Sequence, residues 1–168
     1  MNTVPEQFEP LTVLKSLVDQ GVKFVLIGGL AARYLGSAVI TRDVDICYAR
    51  DHPNLQALAS VLRELEATLR GAPKELPFIL DAETLRNGDH FTFTTPYGSV
   101  DILGTPAGTK GYDELLRNAM VLELGDVRVH VAGVEDLIRM KRAAGREKDL
   151  GHIVNLLALR DEIEGMPG

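Results

Sequence analysis

Between residues 11 and 20 the apolar positions fall at Leu11, Leu14, Leu17 and Val18, a helical spacing that Gly21 ends. Residues 23–27 are a short run rich in β-formers and predict a buried strand that breaks at Gly28-Gly29. Residues 30–35 then predict a helix starting on those glycines. The alternation of Asp43, Val44, Asp45, Ile46 and Cys47 predicts a second strand over 42–48. The clearest helix is predicted over 53–69, with Leu55, Leu58, Ala59, Leu62, Leu65 and Leu69 on one stripe, Pro53 at its first position and Gly71 beyond its end. Residues 72–89, with Pro73 and Pro77, read as a looser stretch. Strands are predicted over 90–95 and 99–103 around the turn Pro96-Tyr97-Gly98. A loop over 104–111 and a short helix over 112–118 follow. A hairpin over 120–124 and 127–131 turns at Gly125-Asp126. Two closing helices, over 134–144 and 148–159, flank Gly145. Helices mixed with hairpins predict an α+β fold, a mixed β-sheet covered by helices mainly on one face.

The length of 168 residues suits a single domain over 1–168, with the closing helices at about 134–160. A net charge of −6 argues against holding nucleic acid by bulk electrostatics, which needs a basic face. It leaves room for a local basic patch that handles one nucleotide or the end of an RNA. The one cysteine, Cys47, has no internal disulfide partner, so a reducing compartment is expected. The opening MNTVPEQFEP has no basic segment followed by an apolar run, and the longest apolar stretch, 24–32, is far shorter than the ~20 residues of a membrane helix. The expectation is a cytoplasmic chain without membrane association.

An Asp-x-Asp pair says little by itself in a chain with 12 Asp, since such residues are ordinarily solvated. Here Asp43 and Asp45 stand two apart inside an apolar strand. The period of two puts both carboxylates on one face and Val44 and Ile46 on the other. Like charges side by side are costly unless a cation lies between them, and Mg²⁺ takes one or two carboxylates together with waters and substrate phosphates. Upstream, Gly28-Gly29 lies between strand and helix, where the backbone can approach a ligand closely and helix-start N–H groups favour phosphate. The bland alternative is a tight strand-to-helix turn. Val100-Asp101-Ile102 repeats the pattern of a carboxylate between β-branched residues. A third carboxylate beside the pair would complete a two-metal site, and an edge residue facing solvent is the competing reading.

Taken together, Ile27-Gly28-Gly29, thirteen intervening residues, Asp43-Val44-Asp45-Ile46 and then Val100-Asp101-Ile102 resemble the signature of the polymerase-β-like nucleotidyltransferase superfamily. Thr41-Arg42-Asp43-Val44-Asp45 resembles its small AbiEii toxin-like branch, as do the segments 135–141 and 145–150, with Lys141 on the penultimate helix and Arg146, Lys148 and Asp149 opening the last. Relatives often carry a second acidic residue after the Lys-Asp pair, where this chain has Gly151 and His152. The resemblance implies a nucleotidyltransferase fold and transfer of a nucleoside monophosphate from an NTP, ATP among the candidates, to a hydroxyl. It implies Mg²⁺, with Mn²⁺ as a substitute, bound by Asp43 and Asp45. Asp101 would bind a second metal or accept the proton of the attacking hydroxyl. Gly28 and Gly29 would hug the phosphates. Lys141, Arg42 and Arg33 would neutralise them, with an exposed lysine and an arginine paired to an aspartate as the plain alternatives.

By the same resemblance the acceptor would be RNA, tRNA in particular, as for a toxin-type enzyme with an antitoxin partner; a protein or small-molecule acceptor stays open. A different class of function also stays open: a non-catalytic nucleotide-binding or antitoxin-like module with the same fold. Other features carry less. Residues 104–111 echo a phosphate loop, but the spacing is one short and Gly111 replaces the Ser/Thr that would hold Mg²⁺. The four histidines, His52, His90, His130 and His152, lack metal-ligand spacing.

Overall fold

The computed structural model describes residues 7–71, 78–145 and 149–165. Elements follow in the order α1 (Pro10–Asp19), β1 (Phe24–Ile27), α2 (Gly28–Tyr34), β2 (Asp43–Tyr48), α3 (His52–Glu64), β3 (Thr68–Leu69) and α4 (Ala82–Asn87). After these come β4 (His90–Thr95), β5 (Gly98–Leu103), α5 (Tyr112–Asn118), β6 (Met120–Leu124), β7 (Val127–Val131), α6 (Val134–Ala144) and α7 (Asp149–Glu164). The seven strands form one mixed sheet in the order β3-β4-β5-β2-β1-β7-β6. The pairs β2/β5 and β1/β7 are parallel; β1/β2, β3/β4, β4/β5 and β6/β7 are antiparallel.

Burial explains the sheet. All four residues of β1 are buried, as expected of a central strand covered on both faces. Elsewhere burial alternates. Val44 and Ile46, Val100 and Ile102, and Val127, Val129 and Val131 turn inward, while Asp43, Asp45, Ser99, Asp101, Arg128 and His130 lie opposite. Helices therefore cover mainly one face, in line with the sequence pattern. At β2 and β5 the other face is left to carboxylates.

Two segments depart from expectation. The helix predicted over 53–69 stops at Glu64. Glu66 takes a left-handed φ of 57°, and the amides of Glu66 and Ala67 bond back to the carbonyls of Arg63 and Leu62. This helix-ending geometry is ordinarily built on glycine. It frees Thr68 and Leu69 to pair with Thr94 and Phe93 as β3. Within the stretch read as loose, α4 forms behind Asp81, whose Oδ1 accepts the Thr84 amide at 2.8 Å. Residues 72–77 of that stretch lie outside the described residues.

Asn54, 3% exposed, ties α3 to the sheet. Its Nδ2 donates to the carbonyls of Ala49 (2.7 Å) and Lys23 (3.0 Å), and its Oδ1 accepts the Lys23 amide at 2.7 Å. It thus clamps the chain just before β1 to the chain just after β2. Asn54→Ala removes three hydrogen bonds, leaves the buried Ala49 carbonyl without this partner, and is expected to cost about 2–4 kcal/mol. The check is a lower urea midpoint with an unchanged m-value.

Candidate active site

Parallel pairing of β2 with β5 sets Asp45 directly beside Asp101. The same row continues to Thr92 on β4 and Ile27 on β1. Adjacent strands lie ~4.8 Å apart, so two carboxylates stand as immediate neighbours on one face. Asp101 Oδ1 is buried without a hydrogen-bond partner among the described residues, and its Oδ2 is 3.7 Å from His90 Nε2. An orphaned, buried carboxylate oxygen beside a second carboxylate is costly in isolation and is the setting a cation relieves.

Gly28 lies immediately above. Its φ of +76° is left-handed, and a Cβ there would stand 2.9 Å from Asp45 Cγ and closer still to Oδ2. The missing side chain is what lets the start of α2 come down onto the carboxylate. Gly29 approaches Thr41, whose hydroxyl lies 3.3 Å from the Asp43 amide.

These residues open into a cleft of about 220 Å³ between the sheet, the loop after β5 and the two closing helices. Ile27, Gly28, Gly29, Asp45 and Asp101 line it, and so do Lys141 from α6 and His152 and Leu156 from α7. Lys141 Nζ is 3.1 Å from Asp149 Oδ1, and Asp149 is 1% exposed. That pair holds α7 against α6 and keeps the ammonium at the cleft.

The loop over 104–111 is fixed from behind. Arg139 Nη2 binds Glu114 Oε1 (2.6 Å) and Asp136 Oδ1 (3.0 Å), and Glu114 also accepts the Lys110 amide. The Lys110 amide and the Arg139 guanidinium hold the Glu114 carboxyl below its ordinary range. The loop abuts α6 so closely that a Cβ on Gly108 would sit 2.8 Å from Ala143 Cβ.

The structure thus brings together five of the seven expected residues: Gly28, Gly29, Asp45, Asp101 and Lys141. Asp43 shares the face of Asp45 but is exposed, pairs in register with Ser99, and stands roughly 7 Å further along β2, outside the cleft lining. Arg42 is exposed and also outside it, as is Arg33. Among the described residues no three His, Cys, Asp or Glu side chains converge into a ready-made metal cluster. Arg146 and Lys148 lie outside the described residues.

Two lining residues, His90 and His152, escape the spacing rules for metal ligands. For His90 the signal was in the hairpin. The turn after Thr95 sets Thr92 opposite Asp101, and His90 shares the face of Thr92. Cys47 is buried and its thiol donates to the Gly104 carbonyl at 3.5 Å. Burial pushes that thiol up to about 12, so it is a packing residue and not a nucleophile. No helix among the described residues is long and apolar enough to cross a membrane.

No family model matches the sequence, and no curated protein does. Solved structures do share the fold. The lincosamide antibiotic adenylyltransferase LnuA, with lincomycin bound, superposes with a TM-score of 0.60 at 16% identity, over 95% of this chain and 99% of its own. TM1012 of Thermotoga maritima, assigned as a nucleotidyltransferase, superposes with a TM-score of 0.51 at 16% identity, over 96% of this chain and 98% of its own. At this identity the likeness is one of fold: the chain has the α+β nucleotidyltransferase fold.

Proposed function

We propose that this chain is a Mg²⁺-dependent nucleotidyltransferase of one domain, 1–168, which moves a nucleoside monophosphate from an NTP to a hydroxyl. The observation that carries the reading is the in-register pair Asp45 and Asp101 under Gly28, with Asp101 Oδ1 buried and unpartnered. Asp45 and Asp101 would hold the ion, with Asp43 at the rim to reach it through water; Mn²⁺ would substitute. Bound there, the cation would supply charge neutralisation for the triphosphate and the departing pyrophosphate.

The remaining chemistry belongs to the chain. Gly28 and Gly29 let the phosphates approach the backbone without a side chain between. Lys141, held by Asp149, offers a point charge to a phosphate oxygen. The acceptor oxygen attacks the α-phosphorus in line, the bond to the bridging oxygen breaks, and pyrophosphate leaves with the electron pair. With Oδ1 turned to the ion, Asp101 Oδ2, 3.7 Å from His90 Nε2, would be the oxygen left to take the proton of the attacking hydroxyl. Arg42 and Arg33, both exposed beside the site's strands, serve at most as outer cations. ATP is the first nucleotide to try, because LnuA is an adenylyltransferase. A cytoplasmic setting suits the reading, as NTPs are abundant there and Cys47 is unpaired.

A second reading has one observation in its favour. The lack of a preformed three-residue cluster among the described residues suits a nucleotide-binding module without turnover, of the antitoxin-like kind. One assay separates the two. Protein, Mg²⁺ and each α-labelled NTP are incubated with cellular RNA or with a small-molecule extract. Label transfer that EDTA abolishes is the expected result. NTP binding without transfer to any acceptor, the protein itself included, would select the module.

A further inference from the structure

Resting on that reading, we infer that the acceptor is a small, neutral or cationic hydroxyl-bearing molecule with a largely apolar body, and not a nucleic acid. The wall next to Asp101 is apolar. Leu103 follows two residues later on the same face of β5, and Pro106 and Ala107 continue it. Gly108 then meets α6, which adds Leu137 and Met140. The hydroxyl that gives its proton to Asp101 would therefore arrive on a molecule whose body contacts hydrocarbon. Such a body gains by removing apolar surface from water, and a polyphosphate backbone gains nothing there.

Electrostatics points the same way. Of the side chains lining the cleft, Lys141 alone among the described residues is a lysine or arginine, and it is already joined to Asp149. On that reading the ion at Asp45 and Asp101 and the Lys141 ammonium are engaged by the triphosphate, the described lining offers no further lysine or arginine to a second polyanion, and the chain carries −6 overall. A nucleic acid acceptor needs a cationic track that neutralises successive phosphates. Arg33, Arg42 and Arg142 are exposed, but none of them lines the cleft.

The test uses the full-length protein, Mg²⁺ and α-labelled ATP. One arm offers total RNA; the other offers a pool of neutral and cationic hydroxylated compounds below about 500 Da, natural products included. Label entering the small-molecule arm at least about 100-fold faster than RNA is expected, with a rate insensitive to salt between 50 and 200 mM. Met140→Ala, which removes a methylene, the sulfur and the methyl from the wall, is expected to raise the acceptor KM by about 10-fold or more, with the nucleotide Kd within about twofold of the parent. Labelling of RNA with a steep salt dependence would overturn the inference and leave the transferase reading intact. So would a Met140→Ala protein that loses nucleotide affinity instead of acceptor affinity, since the apolar wall would then hold the base. Pyrophosphate release in neither arm would sink the underlying reading, and this inference with it.

Discussion

Asp101→Asn is expected to lower kcat for nucleotidyl transfer by about 10²–10³, the size of effect seen when one preorganised electrostatic group is removed from a transition state. Asp45→Asn should do at least as much, because the two carboxylates stand side by side in register and are proposed to hold one ion. The opposite sign is expected in stability. In the free protein the two carboxylates are lateral neighbours on parallel strands, and like charges so placed are destabilising by roughly 0.2–1 kcal/mol. Neutralising Asp101, whose Oδ1 has no partner among the described residues, should leave the melting temperature unchanged or slightly raised. Calorimetry with and without Mg²⁺ completes the check. Ligand binding stabilises the native state by about 1.4 kcal/mol for each tenfold excess over Kd, so Mg²⁺ with a non-hydrolysable NTP should raise the parent's melting temperature and move the variants less. If Asp101→Asn loses activity and stability together, Asp101 is a structural residue and the metal assignment fails.

That trade between stability and function was partly legible in the sequence. A carboxylate on a β-strand between two β-branched residues is a local conflict, and such conflicts gather at working sites. Asp45 and Asp101, the proposed ion-holding pair, both stand in such a conflict. Their adjacency was not legible, because it depends on which strands pair: β5 lies parallel to β2 across the intervening α3, β3, α4 and β4. Asp43 looked equivalent to Asp45 from spacing alone, and only the register separates them, one beside Asp101 and one beside Ser99. Strand and helix bounds came through well where pattern and turn residues agreed, as at β6, β7 and α6. They failed at the end of α3, where an apolar stripe ran on through Leu69. No propensity marks Glu66 for a left-handed turn. The cleft's apolar wall was also hidden, since Leu103, Pro106, Leu137 and Met140 come from three separate segments. The resemblance to a toxin-type branch suggested RNA as acceptor, and that wall is the observation that turns the expectation toward a small molecule.

Gly28→Ala separates site geometry from backbone strain. Alanine must adopt φ near +76°, a region that disfavours any Cβ, and this alone should cost about 1–2 kcal/mol. The new methyl would also land on the Asp45 carboxylate, so that carboxylate or the start of α2 must move. A displacement of about 1 Å at reacting groups can cost about 100-fold in rate. The expected result is a kcat/KM lower by about 10² or more together with the stability loss. Gly21→Ala supplies the control. Gly21 has a similar φ of +73° in the turn after α1, and a Cβ there meets nothing within 4 Å. It should lose a similar amount of stability through strain and keep full activity, because nothing at the cleft shifts. Urea unfolding and initial rates on the two proteins read both quantities. Matching losses of stability with divergent rates would mean that the Asp45 position is set by the absent side chain at Gly28. Equal and undiminished rates would mean that Asp45 can move without consequence, and then its carboxylate does not hold the reacting phosphate's counter-ion.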